Sequence, residues 1–149
     1  QARGLTRLIG VSNFTIADLE ETRPLLGNAK LATNQFERHL YLQNRKLVEY
    51  CRANSITVTC YLPLARGASA GDPVVEEIAK RHDATPHQIA LAFSLAQGHV
   101  VIPTSGKAER VRENFAARDV RLSAEEVAAI EALDRNGRQI NPAWAPKWD

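Results

Sequence analysis

The sequence has no methionine, only two cysteines and no long apolar run. A membrane-spanning helix needs about 20 consecutive apolar residues, so we expect no membrane segment. Cys51 and Cys60 lack the CxxC spacing of metal and redox motifs, and we expect reduced thiols in a cytoplasmic protein. Because position 1 is not methionine and no signal-peptide pattern follows it, we expect the 149 residues to begin within a longer protein or after processing.

A marked charge excess is also absent, since 19 basic and 17 acidic residues give a formal net charge of +2. Bulk charge therefore gives no reason to expect a nucleic-acid partner. The four histidines show no zinc-ligand spacing with acids or thiols, so no metal site is predicted. With 44% hydrophobic and 24% charged residues, the composition is typical of a globular protein that buries one sizeable core.

Apolar strands alternate with amphipathic helices along the chain. Strands are predicted at residues 7–12, 29–35, 56–61 and 99–103. Capping-box patterns predict helix starts at Thr15, Thr85 and Ser123, and Asp72 before Pro73 predicts another. Two further helices are expected over residues 44–54 and from about residue 107, and the tail at residues 135–149 shows no regular period.

This order of elements predicts an α/β fold with a parallel sheet. Four strand–helix units amount to half of a (β/α)8 TIM barrel, which typically needs about 250 residues. We therefore expect residues 1–149 to form a single partial domain with four parallel strands and outer helices. Because four parallel strands leave two unpaired edges, a partner is expected, either the missing half-barrel or a second copy of the chain.

Polar side chains stand where the predicted strands end. Functional residues of a (β/α) barrel collect at the C-terminal ends of its strands. The ring of Tyr61 can stack on a flat heteroaromatic ring, and the amides of Asn13 and Gln35 can hydrogen-bond a carboxamide. Such residues suit a nicotinamide, although the alternative is that they are ordinary polar residues at strand ends. The residues concerned are Ser12, Asn13, Asn34, Gln35, Tyr61, Thr104 and Ser105.

Lys107 and Arg110 are predicted to lie in the first turn of the helix after the fourth strand. The positive end of the helix dipole disfavours cations at that position. Free backbone N–H groups and two basic side chains would converge on a bound anion, for which phosphate is the natural candidate. The alternative is that Arg110 pairs with Glu109 or Glu113 on a solvated surface.

Four sequence blocks occur in a fixed order along the chain. They are Ile9-Gly-Val-Ser-Asn-Phe14, Thr33-Asn-Gln35 with Tyr41-Leu-Gln43, Tyr61-Leu-Pro-Leu64, and Ile102-Pro-Thr-Ser105 through Arg110 with Glu113-Asn114. In this order and spacing they resemble the aldo-keto reductases, and the resemblance extends over essentially the whole chain. Residues 123–134 and 145–149 resemble the bacterial 2,5-diketo-D-gluconate reductase B branch in particular. The resemblance implies that the chain is the C-terminal half of a TIM barrel.

The resemblance also implies an NADPH cofactor and assigns the strand-end residues to its nicotinamide end. Ser12, Asn13 and Gln35 would hold the carboxamide of the nicotinamide. Tyr61 would stack on the nicotinamide ring and fix the face that delivers hydride. The C-terminal tail, including Trp144, would form part of the rim of the substrate pocket.

At the adenine end, the resemblance implies a set of eight contacts. Relatives often carry lysine at the position of Thr104, so one positive charge is missing there, and Lys107 is the residue that can replace it. The segment from Leu62 to Gly67, with Leu62 and Leu64 among its contacts, would pass along the pyrophosphate. The other predicted residues are Thr104, Ser105, Lys107 and Arg110 at the 2′-phosphate, and Glu113 and Asn114 at the adenine.

No catalytic residue is predicted in this chain, because the Asp, Tyr, Lys and His tetrad of the family lies on its first four strands. His39 is expected to be structural, and His82 and His87 are expected at surface or cap positions. The complete protein is therefore predicted to reduce small aldehydes or ketones of the keto sugar acid type with NADPH, this chain supplying the cofactor-binding half. The alternative is a non-catalytic, nucleotide-binding half-barrel that associates with itself.

Overall fold

The four predicted strands form one parallel sheet in chain order. They are β1 (Ile9–Ser12), β2 (Leu31–Glu37), β3 (Thr57–Tyr61) and β4 (Val100–Val101). In the computed structural model, which describes residues 1–149, β2 pairs with β1 and β3, and β4 pairs with β3. The predicted α/β fold with four parallel strands is confirmed.

Six α-helices follow or separate the strands. They are α1 (Ile16–Thr22), α2 (Arg45–Ala53), α3 (Pro73–Arg81), α4 (Pro86–Ala96), α5 (Ala108–Ala116) and α6 (Ala124–Glu131). The capping boxes predicted at Thr15, Thr85 and Ser123 are all present, and Asp72 caps α3. None of these helices has the length and apolar character needed to cross a membrane.

Strand boundaries differ from the predicted ones at both edges of the sheet. The first strand begins at Ile9 rather than at residue 7, and β4 covers two residues of the predicted 99–103. The pairing of β4 with β3 ends when the Ile102 amide donates to the Cys60 carbonyl at 3.2 Å. The following Pro103 has no N–H to continue the ladder, which explains the short edge strand.

The two faces of the sheet have different chemistry. Apolar residues such as Phe36, Val58 and Cys60 pack under α1 and α2 against Leu19 and Leu47. The alternating residues of the same strands form the opposite face, because side chains of a strand point to opposite sides in turn. This second face is rich in polar groups and consists of Ser12, Thr33, Gln35, Thr59 and Tyr61.

Gly10 allows β1 and β2 to approach closely at an irregularity in their register. A Cβ atom at this position would lie 2.6 Å from Thr33 Cγ2 and 2.9 Å from the Thr33 carbonyl oxygen. We therefore expect Gly10→Ala to lower the free energy of unfolding by about 1 to 3 kcal/mol, measured by urea denaturation. Gly106→Ala is the control, because nothing lies within 4 Å of its added Cβ. Equal stability losses in both variants would contradict this packing argument.

Both edges of the sheet and one outer helix are left uncovered. Val100 and Ile102, beside the β4 edge, are 46% and 41% exposed, and Leu8 before β1 is 69% exposed. Helix α5 has no buried residue, and its Val111 and Phe115 are exposed. Apolar surface next to unpaired strand edges is typical of an interaction site.

Candidate functional site

Ser12, Asn13 and Gln35 lie together at the C-terminal ends of β1 and β2. Ser12 is paired in register with Gln35, and its hydroxyl donates to the Gln35 carbonyl at 3.1 Å. The backbone N–H of Asn13 donates to the same carbonyl at 2.8 Å. Asn13 has a left-handed backbone, with φ of 59°, which asparagine tolerates better than most residues. Three of the predicted nicotinamide residues are therefore neighbours.

Asn13 carries a free hydrogen-bond acceptor. Its side-chain Oδ1 is buried and has no hydrogen-bond partner within the chain. Buried polar atoms of native proteins are almost always paired, so an unpaired one calls for a partner. The NH2 group of a carboxamide supplies the donor that this oxygen lacks. The contact of Asn13 with a nicotinamide stays a prediction.

Tyr61 ends β3 beside the same corner of the sheet, paired in register with Glu37. Its ring is half-buried, and its hydroxyl makes no hydrogen bond within the chain. Burial raises the pKa of the Tyr61 phenol, and the negative charge of Glu37 raises it further, against the opposing effect of Arg138. The side chain is therefore an uncharged aromatic ring, suited to stacking on a flat ring.

A separate cleft of about 420 Å³ lies between the segment after β3 and the start of α5; we call it the loop–helix cleft. Leu62, Leu64, Thr104, Ser105, Arg110, Glu113 and Asn114 of the predicted cofactor residues line it. Ser12, Asn13, Gln35, Tyr61 and Lys107 are not in its lining. Seven of the twelve predicted residues therefore share one cleft, and Tyr61 directly precedes Leu62 in its lining.

The wall of the loop–helix cleft has a strained backbone. Leu62, Ala65 and Arg66 have φ values of 50°, 47° and 55°, in the left-handed region that non-glycine residues rarely adopt. Such conformations cost on the order of 1 kcal/mol or more each, and they cluster at ligand sites. The strain is located in the segment that the resemblance assigns to the pyrophosphate.

Arg110 enters the loop–helix cleft as an unpaired cation. It is exposed on the first turn of α5 and forms no ion pair within 4 Å. In this structure Arg110 pairs with neither Glu109 nor Glu113, and the Glu113 carboxylate accepts a hydrogen bond from Thr85 Oγ1 at 2.6 Å. Lys107 precedes the helix at the N-cap position, rather than lying within the first turn, and has no side-chain cap.

Ser105 lies at the same helix start, close to Arg110 in the lining of the cleft. Its hydroxyl oxygen accepts from the Lys107 amide at 3.1 Å. The same hydroxyl donates to the Lys107 carbonyl at 3.3 Å, so a bound anion would compete for that donor. The helix start therefore combines a positive dipole end, a hydroxyl and an unpaired guanidinium, which is the chemistry of a phosphate site.

His87 is a cleft residue that the sequence did not reveal as one. It lies in the first turn of α4, close to the predicted cap position, but it also lines the loop–helix cleft. Its Nε2 is buried without a partner, and a Cβ on Gly67 would lie 3.7 Å from it. Arg66 also lines the cleft and was not predicted. Only the fold shows that the segment after β3 packs beside α4.

Two of the other histidines, His82 and His39, have structural contacts. His82 is the C-cap of α3 and bonds Glu126 at 2.8 Å, so the predicted cap position is confirmed. His39 is buried and bonds Glu37 at 3.1 Å, as expected for a structural residue. Both cysteines are buried and free.

The C-terminal tail crosses the strand ends beside Tyr61. The Gln139 and Ile140 amides donate to the Glu37 carboxylate at 2.7 and 2.8 Å. Trp144, predicted at the substrate rim, is 83% exposed. The Asp149 carboxylate ends the tail by accepting from the Ile16 amide at 3.1 Å, at the start of α1.

Comparison with known proteins agrees with this architecture. The profile of the aldo/keto reductase family matches residues 1–135. The methylglyoxal reductase DkgB of Salmonella typhi is 45% identical over 148 residues, which are 99% of this chain and 55% of that protein. The aldose reductase of Encephalitozoon cuniculi is 38% identical over 146 residues, covering 93% of this chain and 47% of that protein.

Solved structures give the same result. A crystal structure named provisionally as a 2,5-diketo-D-gluconic acid reductase B superposes with a TM-score of 0.94 at 39% identity, covering 99% of this chain and 53% of that one. The aldose reductase of Schistosoma japonicum superposes with a TM-score of 0.87 at 37% identity, covering 93% and 45%.

The chain belongs to the aldo/keto reductase family. The predicted resemblance to the 2,5-diketo-D-gluconate reductase B branch is also confirmed. The chain spans about half the length of the curated relatives it matches. Its four strands therefore correspond to half of a TIM barrel, as the sequence predicted.

Proposed function

We propose that this chain is the cofactor-binding half of a cytoplasmic, NADPH-dependent reductase of small aldehydes and ketones, keto sugar acids among them. The observation that carries the proposal is the unpaired Arg110 beside Ser105 at the start of α5, within the loop–helix cleft. A guanidinium without a carboxylate partner is suited to a phosphate ester, and only NADPH carries the 2′-phosphate. Similar proteins named as methylglyoxal and aldose reductases support the carbonyl substrate class.

The predicted cofactor residues fall into two sets, one for the adenine end of the cofactor and one for the nicotinamide end. Arg110 and Ser105 bind the 2′-phosphate, with Thr104 and Lys107 beside them, and the strained segment from Leu62 through Leu64 follows the pyrophosphate. The Glu113 carboxylate accepts a hydrogen bond from Thr85, so the methylene groups of Glu113 and the side chain of Asn114 contact the adenine. Bound NADPH supplies the hydride for reduction.

At the nicotinamide end, the residues orient the reactive ring. Asn13 Oδ1 accepts from the carboxamide, and Ser12 and Gln35 support the same corner. Tyr61 covers one face of the ring, which leaves the other face toward the substrate. By the resemblance, the general acid is the tyrosine of the family's tetrad, which lies in the other half of the protein.

The missing half-barrel is the partner that fits the open edges. The relatives are about twice as long as the matched region. The exposed Val100, Ile102 and Phe115 lie where further strands and helices would cover them. Completion of the barrel would also join the strand-end residues and the loop–helix cleft into one site.

The test is enzymatic. Joined to an N-terminal half that carries the Asp, Tyr, Lys and His set, the protein should oxidise NADPH when given methylglyoxal or a keto sugar acid. The reaction is followed by the loss of NADPH absorbance, with NADH as the comparison. Absence of turnover from a folded, complete protein would overturn the proposal.

A second candidate is a nucleotide-binding half-barrel that does no chemistry and pairs with a second copy. The observation in its favour is that both edges of the sheet are open and carry exposed apolar residues, Leu8 on one side and Val100 and Ile102 on the other, which a second copy could cover. Fluorescence titration with NADPH, together with the activity assay and the molecular mass in solution, distinguishes the two. Binding by a dimer of this chain without turnover supports the second candidate.

A further inference from the structure

Glu37 is a fully buried carboxylate at the end of β2, and it belongs to none of the predicted site residues. It accepts three hydrogen bonds: from the Gln139 amide at 2.7 Å, the Ile140 amide at 2.8 Å and His39 Nε2 at 3.1 Å. Two of its three partners are backbone groups of the C-terminal tail. The carboxylate therefore holds chain that lies about a hundred residues further on.

The three donors keep this carboxylate ionised. Burial alone raises the pKa of Glu37, but the hydrogen bonds from His39, Gln139 and Ile140 outweigh it, and the pKa is lowered. Hydrogen bonds to an ionised acceptor are about twice as strong as neutral ones. Loss of either tail amide would leave a buried charge short of donors, so the carboxylate and the tail are held together.

The anchored segment lies next to the nicotinamide end of the site. Glu37 pairs in register with Tyr61 and follows Gln35 on the same face of β2. The Gln139 side chain donates to the Ala65 carbonyl at 3.1 Å, in the segment after β3 that leads into the loop–helix cleft. One tail residue thus bridges the ends of two site-bearing strands.

Arg138, which precedes the two tail residues bound by Glu37, is also held by contacts with the rest of the chain. The Arg138 guanidinium lies 3.7 Å from the Trp148 ring centroid and donates to Asn44 Oδ1 at 2.9 Å. Trp148 packs against the apolar cluster under α1 and α2. The tail beyond the anchor is therefore folded back onto the body of the protein through Trp148, while Trp144 in its middle is 83% exposed.

We propose that Glu37 positions the C-terminal tail over the strand ends and thereby sets the shape of the substrate opening beside Tyr61. This inference rests on the proposed reductase function. Glu37 acts through the tail and touches neither substrate nor cofactor. It is a positioning residue, and it determines how tightly the carbonyl substrate is held.

The test compares Glu37→Gln with Glu49→Gln, which removes the same charge from an exposed position of α2, in the complete reductase. We expect Glu37→Gln to raise KM for the carbonyl substrate about tenfold, with kcat and NADPH affinity within about twofold. Hydrogen exchange of the Gln139 and Ile140 amides should become at least about tenfold faster. Glu49→Gln should change none of these quantities.

Removal of residues 138–149 provides the decisive second variant. If Glu37 acts through the tail, truncation also raises KM, and Glu37→Gln then adds less than about twofold in the truncated background. Full additivity of the two changes, or unchanged exchange of the tail amides in Glu37→Gln, would overturn the inference. The exchange measurement needs no activity, so it separates a failed anchor from a failed assignment of function.

Discussion

Replacing Arg110 by alanine is expected to weaken NADPH binding about ten- to a hundredfold while NADH binding changes less than about twofold. Arg110 forms no ion pair within the chain and lines the loop–helix cleft with Ser105. Its loss removes a charge-assisted contact that only a 2′-phosphate can make. Dissociation constants of the complete protein for both cofactors, from fluorescence titration, give the measurement.

Arg112→Ala is the matched control for this prediction. Arg112 lies two residues further along α5, is exposed and does not line the loop–helix cleft. The variant removes the same charge from the same helix, so it corrects for long-range electrostatics. Equal losses of NADPH and NADH affinity in Arg110→Ala would remove this residue from the 2′-phosphate site and with it the main support for NADPH.

Local signals in the sequence predicted the secondary structure well, because the interactions that produce them are local. A helix cap joins residues two or three apart, as Thr85 does with Gln88, so the pattern is visible in the sequence. The strand edges were less well predicted. β4 pairs with β3 on one side only, and Pro103 ends that pairing. The hydrophobic pattern used to predict the strand reflects neither of these effects.

The arrangement of the site depends on long-range contacts that no sequence pattern records. Strand order placed Ser12, Asn13 and Gln35 together correctly, since neighbouring parallel strands end at the same edge. It did not show which residues would line the loop–helix cleft together with Arg110. The fold alone brings His87 into the cleft.

The hydrogen-bond partners of Glu37 could not be predicted from the sequence either. Its tail partners are 102 and 103 residues away, and the tail has no periodic signal to indicate where it lies. Glu37 also lies beyond the predicted end of the second strand at residue 35, so the sequence did not place this carboxylate in the sheet, where a buried charge needs partners. Such a residue predicts that donors exist, but it does not identify them.

Replacing Glu126 by alanine is expected to lower the free energy of unfolding by about 2 to 4 kcal/mol. The Glu126 carboxylate is 8% exposed, accepts from His82 Nε2 at 2.8 Å and from the Ser123 amide at 2.9 Å, and forms an ion pair with Arg81 Nη1 at 3.3 Å. It therefore caps α6 and ties it to the end of α3. Urea denaturation at neutral pH is the measurement, with Glu49→Ala as the control.

The same interaction gives this stability a definite pH dependence. Burial raises the pKa of Glu126, but the Ser123 amide, His82 and Arg81 outweigh it, so the folded-state pKa is lowered. The folded protein then binds fewer protons than the unfolded chain, and the contribution is complete above the ordinary carboxyl pKa and lost as pH falls through the folded value. The stability difference between the wild type and Glu126→Gln should consequently shrink as the solution is acidified. A difference that stays constant into the acid range would show that the carboxylate charge does not hold the two helices together.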